Sequence, residues 1–381
     1  MRSVKESATK EKNRIAEQKL PPVAVMRLAL KLSNFFRKIH YRGTPAPLAM
    51  LELSAVNYVT SCMTMTVAEL GIADLLKDSA KSAEELAALA GVDLLYLSRL
   101  MRALTSLGIF AQDKEGRFTL TGISRYLLSD TPGSVRPLLV MFNKTWHKRT
   151  WDELTQTVVT GRPAFEQLYG LPLFDYLGQN PEAGQIFYEA MFGYSSQVAT
   201  AVVSAYNFSR FHHLVDVGGG FGNVAIPLMK KYPKLRVTLF DLPFVIDQMR
   251  GSGALEGLQG RCELVGGSFF EQVPPGADAY LVNNVLHDWS DAQCLVILQA
   301  CRRAMDKKAI LLLSEQVLPT DTRYHLGKIT DMEMGVFFPG GRERTLDEYR
   351  GLCEKAGFRL VRSVATPSFA SVMECVPQSE S

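Results

Sequence analysis

The residues of this chain best suited to moving a proton are His287 and Asp288, in the run Leu286-His287-Asp288-Trp289. A histidine titrates near neutrality, so it can take a proton at cellular pH. A carboxylate on its other ring nitrogen fixes the tautomer and stabilises the cation that forms. Two glutamates are candidates for that part. Glu315 follows the apolar run at residues 310–313, and Glu343 lies in Pro339-Gly340-Gly341-Arg342-Glu343-Arg344. Alone, a His-Asp pair after a strand serves structure more often than chemistry, so its meaning depends on its surroundings.

Those surroundings include a glycine turn between two strand-like runs. Leu214-Val215-Asp216-Val217 is short, apolar and β-branched, as a buried parallel strand should be. It stops at Gly218-Gly219-Gly220-Phe221-Gly222. Such a turn takes positive φ and lets a ligand lie against the backbone. Residues 223–231 then read as a short helix and 235–240 as a second strand, closed by Asp241. An acid there is where a nucleoside's ribose finds an acceptor. Asn223 stands where a dinucleotide fingerprint would place its last glycine, and that fingerprint serves a pyrophosphate. A turn and an acid without a phosphate site suit a ribose-bearing ligand that has no phosphate, and S-adenosylmethionine is one. The glycines alone also fit a loop that binds no nucleoside; Asp216 before the turn and Asp241 after it favour the nucleoside.

The elements that must position these groups alternate between strand and helix. Residues 262–265 read as a third strand leading into Gly266-Gly267-Ser268-Phe269-Phe270, and 279–282 as a fourth, followed by Asn283. Ser290 and Asp291 cap a helix through Met305. Residues 310–313 form a fifth strand with Glu315 at its carboxyl end. Thr345 caps a helix to Ala356, and residues 358–364 and 370–376 are two closing strands. Repeated units of this kind make a doubly wound, Rossmann-like α/β sheet. Ligands of such sheets bind at the carboxyl ends of the strands, which here collect the glycine turn, Asp241, Ser268 and Asn283 through Asp288.

The N-terminal part is helical. Residues 48–76 carry a buried helical face interrupted by Gly71, Ser82 with Glu85 is a capping box, and Asp93 caps residues 94–107. A hairpin at 109–120 follows, completing a winged-helix arrangement. DNA binding needs several phosphate-directed cations, and the third helix offers only Arg99 and Arg102, so the module reads as a dimerisation domain. Residues 138–154 crowd Met141, Phe142, Asn143, Trp146 and Trp151 together, Gly161-Arg162-Pro163 breaks the chain, and the helical stretch through Phe187 and Met191 ends near Ser195. These aromatic and Met residues suit a core or a pocket equally. The expected division is a basic arm at 1–45, the winged-helix domain at 46–135, a helical linker and pocket segment at 136–205, and the nucleoside-binding domain at 206–381.

Composition narrows the field. Of 381 residues 47% are hydrophobic and 21% charged, ordinary for a globular protein, and a net charge of +3 gives no case for nucleic acid. Six cysteines show no metal spacing and no C-x-x-C pair, which suits reduced thiols in the cytoplasm. No apolar run approaches a membrane span. Charge is uneven, however: residues 1–43 hold 11 Lys/Arg against 3 Glu. Residues 23–39 have a helical apolar pattern with Arg27, Lys31, Arg37 and Lys38 between. An arm packed on a dimer partner is the preferred reading, and a weak contact with an anionic membrane surface is the other.

Four ordered motifs carry a family resemblance: Asp216-Val217-Gly218-Gly219-Gly220-Phe221-Gly222, then Asp241-Leu242-Pro243, then Leu286-His287-Asp288-Trp289, then Gly340-Gly341-Arg342-Glu343-Arg344-Thr345. Over roughly residues 50–376 the chain resembles the small-molecule O-methyltransferases, the broad family of caffeate, hydroxyindole and bacterial natural-product enzymes. The resemblance implies a class I S-adenosylmethionine fold, a winged-helix dimerisation domain and an intertwined homodimer. It makes His287 the general base, oriented by Glu315 and Glu343. Gly218 and Gly220 would approach the methionine part of the cofactor, Asp241 would hold the ribose, and Leu242 and Phe269 would enclose the adenine. Ser268 stands where the family commonly has Asp, and Asn283 where it has Lys; both still form hydrogen bonds. Phe338 replaces the polar Asn of plant phenylpropanoid enzymes. With Phe142, Asn143, Phe187, Met191, Asp288 and Met334 it points to an apolar aromatic substrate. The implied reaction is direct in-line transfer to a hydroxyl, with no metal. The rivals are a C-methyltransferase of a large ring such as a tetrapyrrole, a nicotinamide-dependent oxidoreductase, and a non-catalytic dimeric protein.

Overall fold

The computed structural model of the chain describes residues 21–378, so the first part of the basic arm lies outside the described residues. Two compact units are distinguished among the described residues: Lys31–Arg149 with Leu177–Tyr194, and 21–30 with Thr150–Tyr176 and 195–378. Residues 136–205 are therefore shared between the units.

In the first unit the helices Asn57–Glu69, Ala83–Ala90 and Leu94–Ser106 precede a hairpin of β1 (Phe110–Gln112) and β2 (Phe118–Leu120), in antiparallel register with Phe110 opposite Leu120. Val67, Ile72, Leu86, Leu97, Met101, Leu104 and Phe110 are all buried at its centre. Burying side chains of this size contributes about 1.5–3 kcal/mol each. Local chemistry sets the helix boundaries. Ser82 and Glu85 form the reciprocal capping box, Asp93 accepts from Tyr96 N, and Gly71 turns the chain at φ 66° between Leu70 and the short helix Ile72–Leu75.

The second unit is built on β3 (His213–Val217), β4 (Arg236–Asp241), β5 (Cys262–Gly266), β6 (Ala279–Asn283), β7 (Ile310–Leu318), β8 (Arg344–Thr345), β9 (Phe358–Ala365) and β10 (Ala370–Pro377). The strands lie in the order β5-β4-β3-β6-β7-β10-β9, and β8 pairs with the end of β7. β3 to β7 are parallel, and β10 and β9 close the edge antiparallel. The winding reverses between β3 and β6, and the crevice there is where open α/β sheets bind ligands. Leu214, Val215, Leu239, Leu281, Leu312 and Leu313 are all fully buried, as strands covered on both faces require. Ser290 with Gln293 and Thr345 with Glu348 complete capping boxes on the helices Asp291–Ala304 and Leu346–Lys355.

Three boundaries differ from the sequence reading. β7 does not stop at Leu313: it runs to Leu318, so Glu315 is mid-strand, with Ser371 of β10 opposite. The apolar run ends, but the backbone stays paired because β10 supplies its partners. The helix expected to end near Ser195 continues from Pro181 to Ala205, since no Gly or Pro follows before Ala205 to break it. The helix after the glycine turn begins at Ala225 rather than Asn223.

Candidate active site

The turn after β3 is held by its own backbone. Gly218 N donates to Phe240 O at 2.9 Å, and Gly220 N donates to Asp241 Oδ2 at 2.8 Å. Leu242 N donates to Asp241 Oδ1 at 2.7 Å. Gly218 (φ 69°) must lack a side chain, because a Cβ there would sit 2.8 Å from Val285 Cγ2. Gly220 is also left-handed (φ 54°), with open space beside it. Asp241 thus fastens the turn, and each of its oxygens keeps a further acceptor site. Burial raises its pKa, and the Gly220 and Leu242 N–H groups lower it. Asp216 is 1% exposed. Burial, then the Asp241 charge, pushes its carboxyl up to about 7, against a hydrogen bond from the Ala225 backbone.

Among the buried acceptors here without a donor are Asp216 Oδ2 and Asn283 Oδ1. They lie on neighbouring strands at the winding reversal. A buried acceptor without a donor costs about 1–3 kcal/mol, so the crevice fits a ligand that brings hydroxyl or amine donors. Ser268 Oγ already accepts from Phe270 N at 3.3 Å. Leu242 is exposed, and Phe269 is half-buried with its ring centre 6.1 Å from that of Trp289.

His287 sits in a short 3₁₀ turn, Leu286–Asp288, after β6. The turn is entered through Asn284, whose φ of 52° is the one positive value at a non-glycine residue among the described residues. Asn tolerates that region better than most side chains. Glu315 reaches up from β7. Its Oε1 accepts from Val285 N at 2.9 Å and Leu286 N at 2.8 Å, and its Oε2 lies 3.0 Å from His287 Nδ1. That last pair is close enough for an ion pair but is not aligned for a hydrogen bond, so both atoms lack a hydrogen-bond partner. Glu343 Oε1 is 4.0 Å from the same nitrogen and accepts from Gln316 Nε2 at 2.9 Å. Asp288 Oδ1 is 3.4 Å from Nε2.

A second layer braces the loop. Arg344, fully buried, donates to Leu286 O at 2.9 Å and Trp289 O at 2.7 Å, and Arg342 N donates to His287 O at 2.8 Å. Gly341 packs so closely that a Cβ would be 2.7 Å from Phe338 Cβ and 3.1 Å from His287 O. Glu343 N donates to Asp331 Oδ1 at 2.7 Å.

Three carboxylates around one imidazole change its titration. Burial opposes the cation, but Asp288, Glu315 and Glu343 outweigh it and push His287 up to about 10. Burial raises Glu343 to about 7 and Asp288 to about 6, although His287 pulls both down. The three carboxylates therefore favour the protonated imidazole and move His287 upward from the range its residue type alone suggests.

On the substrate side, Phe338 is buried with its ring 5.6 Å from Phe174, and Phe174 lies 6.4 Å from Trp289 in a stacked arrangement. Met334 is half-buried on the helix Gly327–Phe337. Phe142, Asn143, Phe187 and Met191 belong to the other unit. There Phe142 stacks on His147 at 4.4 Å, and Phe187 meets Tyr188 edge-on at 5.9 Å. Asn143 donates to Glu69 at 2.9 Å and accepts from Lys148 at 2.6 Å, so its amide is engaged within that unit. An open groove of about 460 Å³ along Tyr96, Arg99 and Arg102 holds none of the candidate residues. No group of metal-binding side chains occurs among the described residues. Sequence reasoning missed Gln316 and Asp331, and it quoted Asn284 and Trp289 only as part of longer runs, with no role of their own. Arg344 stood in a quoted motif, yet nothing local marks an arginine as fully buried.

The family model for the O-methyltransferase domain matches residues 151–359, and that for the O-methyltransferase dimerisation domain matches residues 52–130. The phenazine O-methyltransferase PhzM of Lysobacter antibioticus is 39% identical over 88% of this chain and 98% of its own length. The crystal structure of LaPhzM superposes with a TM-score of 0.81 at 39% identity, covering 88% of this chain and all of its own. The O-methyltransferase NcsB1 of neocarzinostatin biosynthesis, solved with S-adenosylmethionine and 2-hydroxy-5-methyl naphthoic acid, matches with a TM-score of 0.70 at 30% identity over 84% of this chain and 96% of its own.

Proposed function

The chain belongs to the O-methyltransferase family, and on that premise we propose that it transfers a methyl group from S-adenosylmethionine to a hydroxyl of an aromatic small molecule, as a cytoplasmic homodimer. The observation that carries this reading is the caged imidazole of His287, beside a glycine turn with unpaired buried acceptors at Asp216 and Asn283. Asp241, Asp216 and Asn283 would hold the cofactor's polar edges, Gly218 and Gly220 its methionine part, and Leu242 and Phe269 its adenine. When bound, the cofactor supplies a sulfonium-activated methyl. The rest is the work of this chain. The Glu315 carboxylate, 3.0 Å away, favours the proton on Nδ1, which leaves the Nε2 lone pair for the substrate hydroxyl proton, and His287 takes that proton as the oxygen attacks in line. Glu315 and Glu343 stabilise the resulting cation. His287 gives up its resting proton more readily once another cation shares the site, because like charges disfavour the charged form. Phe174, Trp289 and Phe338 offer flat apolar surfaces to an aromatic ring. PhzM and NcsB1 support that class by what their names and bound ligand say.

The test uses the full chain with methyl-labelled S-adenosylmethionine against phenols, flavonoids, polyketides, hydroxylated phenazines and porphyrins, read by mass. Methylation at oxygen is the expected product; methylation at ring carbon, or none with tight cofactor binding, defeats the reading. His287→Ala should bind the cofactor normally by calorimetry and lose about 10²–10⁴ in kcat.

A further inference from the structure

Ahead of the family domain, which begins at residue 52, the helix Val23–Gly43 buries none of its residues. At 3.6 residues per turn its side chains fall into distinct stripes. Val23, Met26, Asn34 and Tyr41 lie along one side and are half-buried. The opposite side carries Val25, Leu28, Leu32, Phe35, Phe36 and Ile39, which are between 48% and 62% exposed. The broadest apolar stripe thus faces outward, the reverse of a helix packed on its own core. Arg27, Lys31, Lys38 and Arg42 line one flank of that stripe, and residues 23–43 contain no acid at all.

An outward apolar stripe of this size marks an interaction surface, and charge decides between its occupants. A second copy meeting it across a two-fold axis would present the same patch, setting one acid-free cationic flank against another. An anionic lipid surface answers both features, since headgroup phosphates take the cations while the acyl boundary takes the stripe. We propose that this helix docks the protein on an anionic membrane surface, lying in the plane of the interface. No helix among the described residues is long and apolar enough to cross a membrane. Residues 1–20 bring six further Lys/Arg, against three Glu, to the same end of the chain. The inference stands apart from the methyl-transfer reading, because it uses none of the site residues.

The experiment is flotation of the full chain with vesicles of phosphatidylcholine alone, or of phosphatidylcholine with phosphatidylglycerol. Molar mass is followed in parallel by light scattering, and S-adenosylmethionine binding serves as the folding control. The chain should float with the anionic vesicles only. Replacing Arg27, Lys31, Lys38 and Arg42 together by Gln should weaken partitioning about a thousandfold. L32E with F35E should abolish it and leave the molar mass unchanged. Failure to float, equal flotation on neutral vesicles, or a halved molar mass in L32E/F35E overturns the proposal; the last would assign the stripe to a second copy.

Discussion

Replacing Glu315 by Gln changes one atom and keeps the shape. The amide can face only one way. Val285 N and Leu286 N both point at the present Oε1, at 2.9 and 2.8 Å. Turning the NH₂ toward them would leave buried donors unpaired, at about 1–3 kcal/mol each. The carbonyl therefore stays there, and the NH₂ faces His287 Nδ1, where Oε2 now lies 3.0 Å away. A donor in that place demands an acceptor at Nδ1 and moves the ring proton to Nε2, the atom that must receive the substrate's proton. The charge is lost as well. At 3.0 Å and an effective dielectric of about 20, its attraction to an imidazolium is bounded at about 5 kcal/mol. General-base catalysis typically supplies about 10²–10⁴ in rate, and wrong tautomer and lost charge together place the variant toward the upper end. We expect kcat to fall about 10³–10⁴-fold in single-turnover methyl transfer, with cofactor Kd and Tm close to the parent's. A variant retaining kcat within about threefold refutes the base assignment, because Glu343, 4.0 Å from Nδ1, is too far to hold the Nδ1 proton in place of Glu315. An equal loss of cofactor affinity would instead make Glu315 a strut of the loop.

Because His287 works deprotonated and its cage raises its pKa to about 10, kcat/KM should rise with pH well past the range of an ordinary histidine. Glu343→Gln removes a carboxylate 4.0 Å from Nδ1, so its ascending limb should move to lower pH; an unmoved limb, measured with a substrate that does not itself titrate, contradicts the cage. Gly341→Ala forces a Cβ to 2.7 Å from Phe338 Cβ and 3.1 Å from His287 O. It should cost about 1–3 kcal/mol of stability in chemical denaturation and lower kcat by more than the folded fraction explains. Parent-like values of both would show that the turn yields freely.

Much of the site was legible because its parts are local. The glycine turn, Asp241, the His287-Asp288 pair and three capping boxes are each set by neighbours in sequence. What escaped depends on partners from far along the chain. Glu315 reads as the end of a strand until β10 is seen to carry the pairing onward through Ser371. Arg344 is only one residue of a motif until the carbonyls of Leu286 and Trp289 are seen to face it. The titration of His287 is the clearest case, since the carboxylates that set it come from its own loop, from β7 and from the turn before β8. Asn143 shows the converse: its place among aromatics suggested a pocket, but Glu69 and Lys148 occupy its amide.

The pairing of Glu315's strand with β10 has a bearing on synthesis. A growing chain carries the imidazole well before it carries Ala370–Pro377, and only that tail completes the pairing of the strand holding its carboxylate. A growing chain thus carries His287 and Glu315 before it carries the strand that lies opposite Glu315.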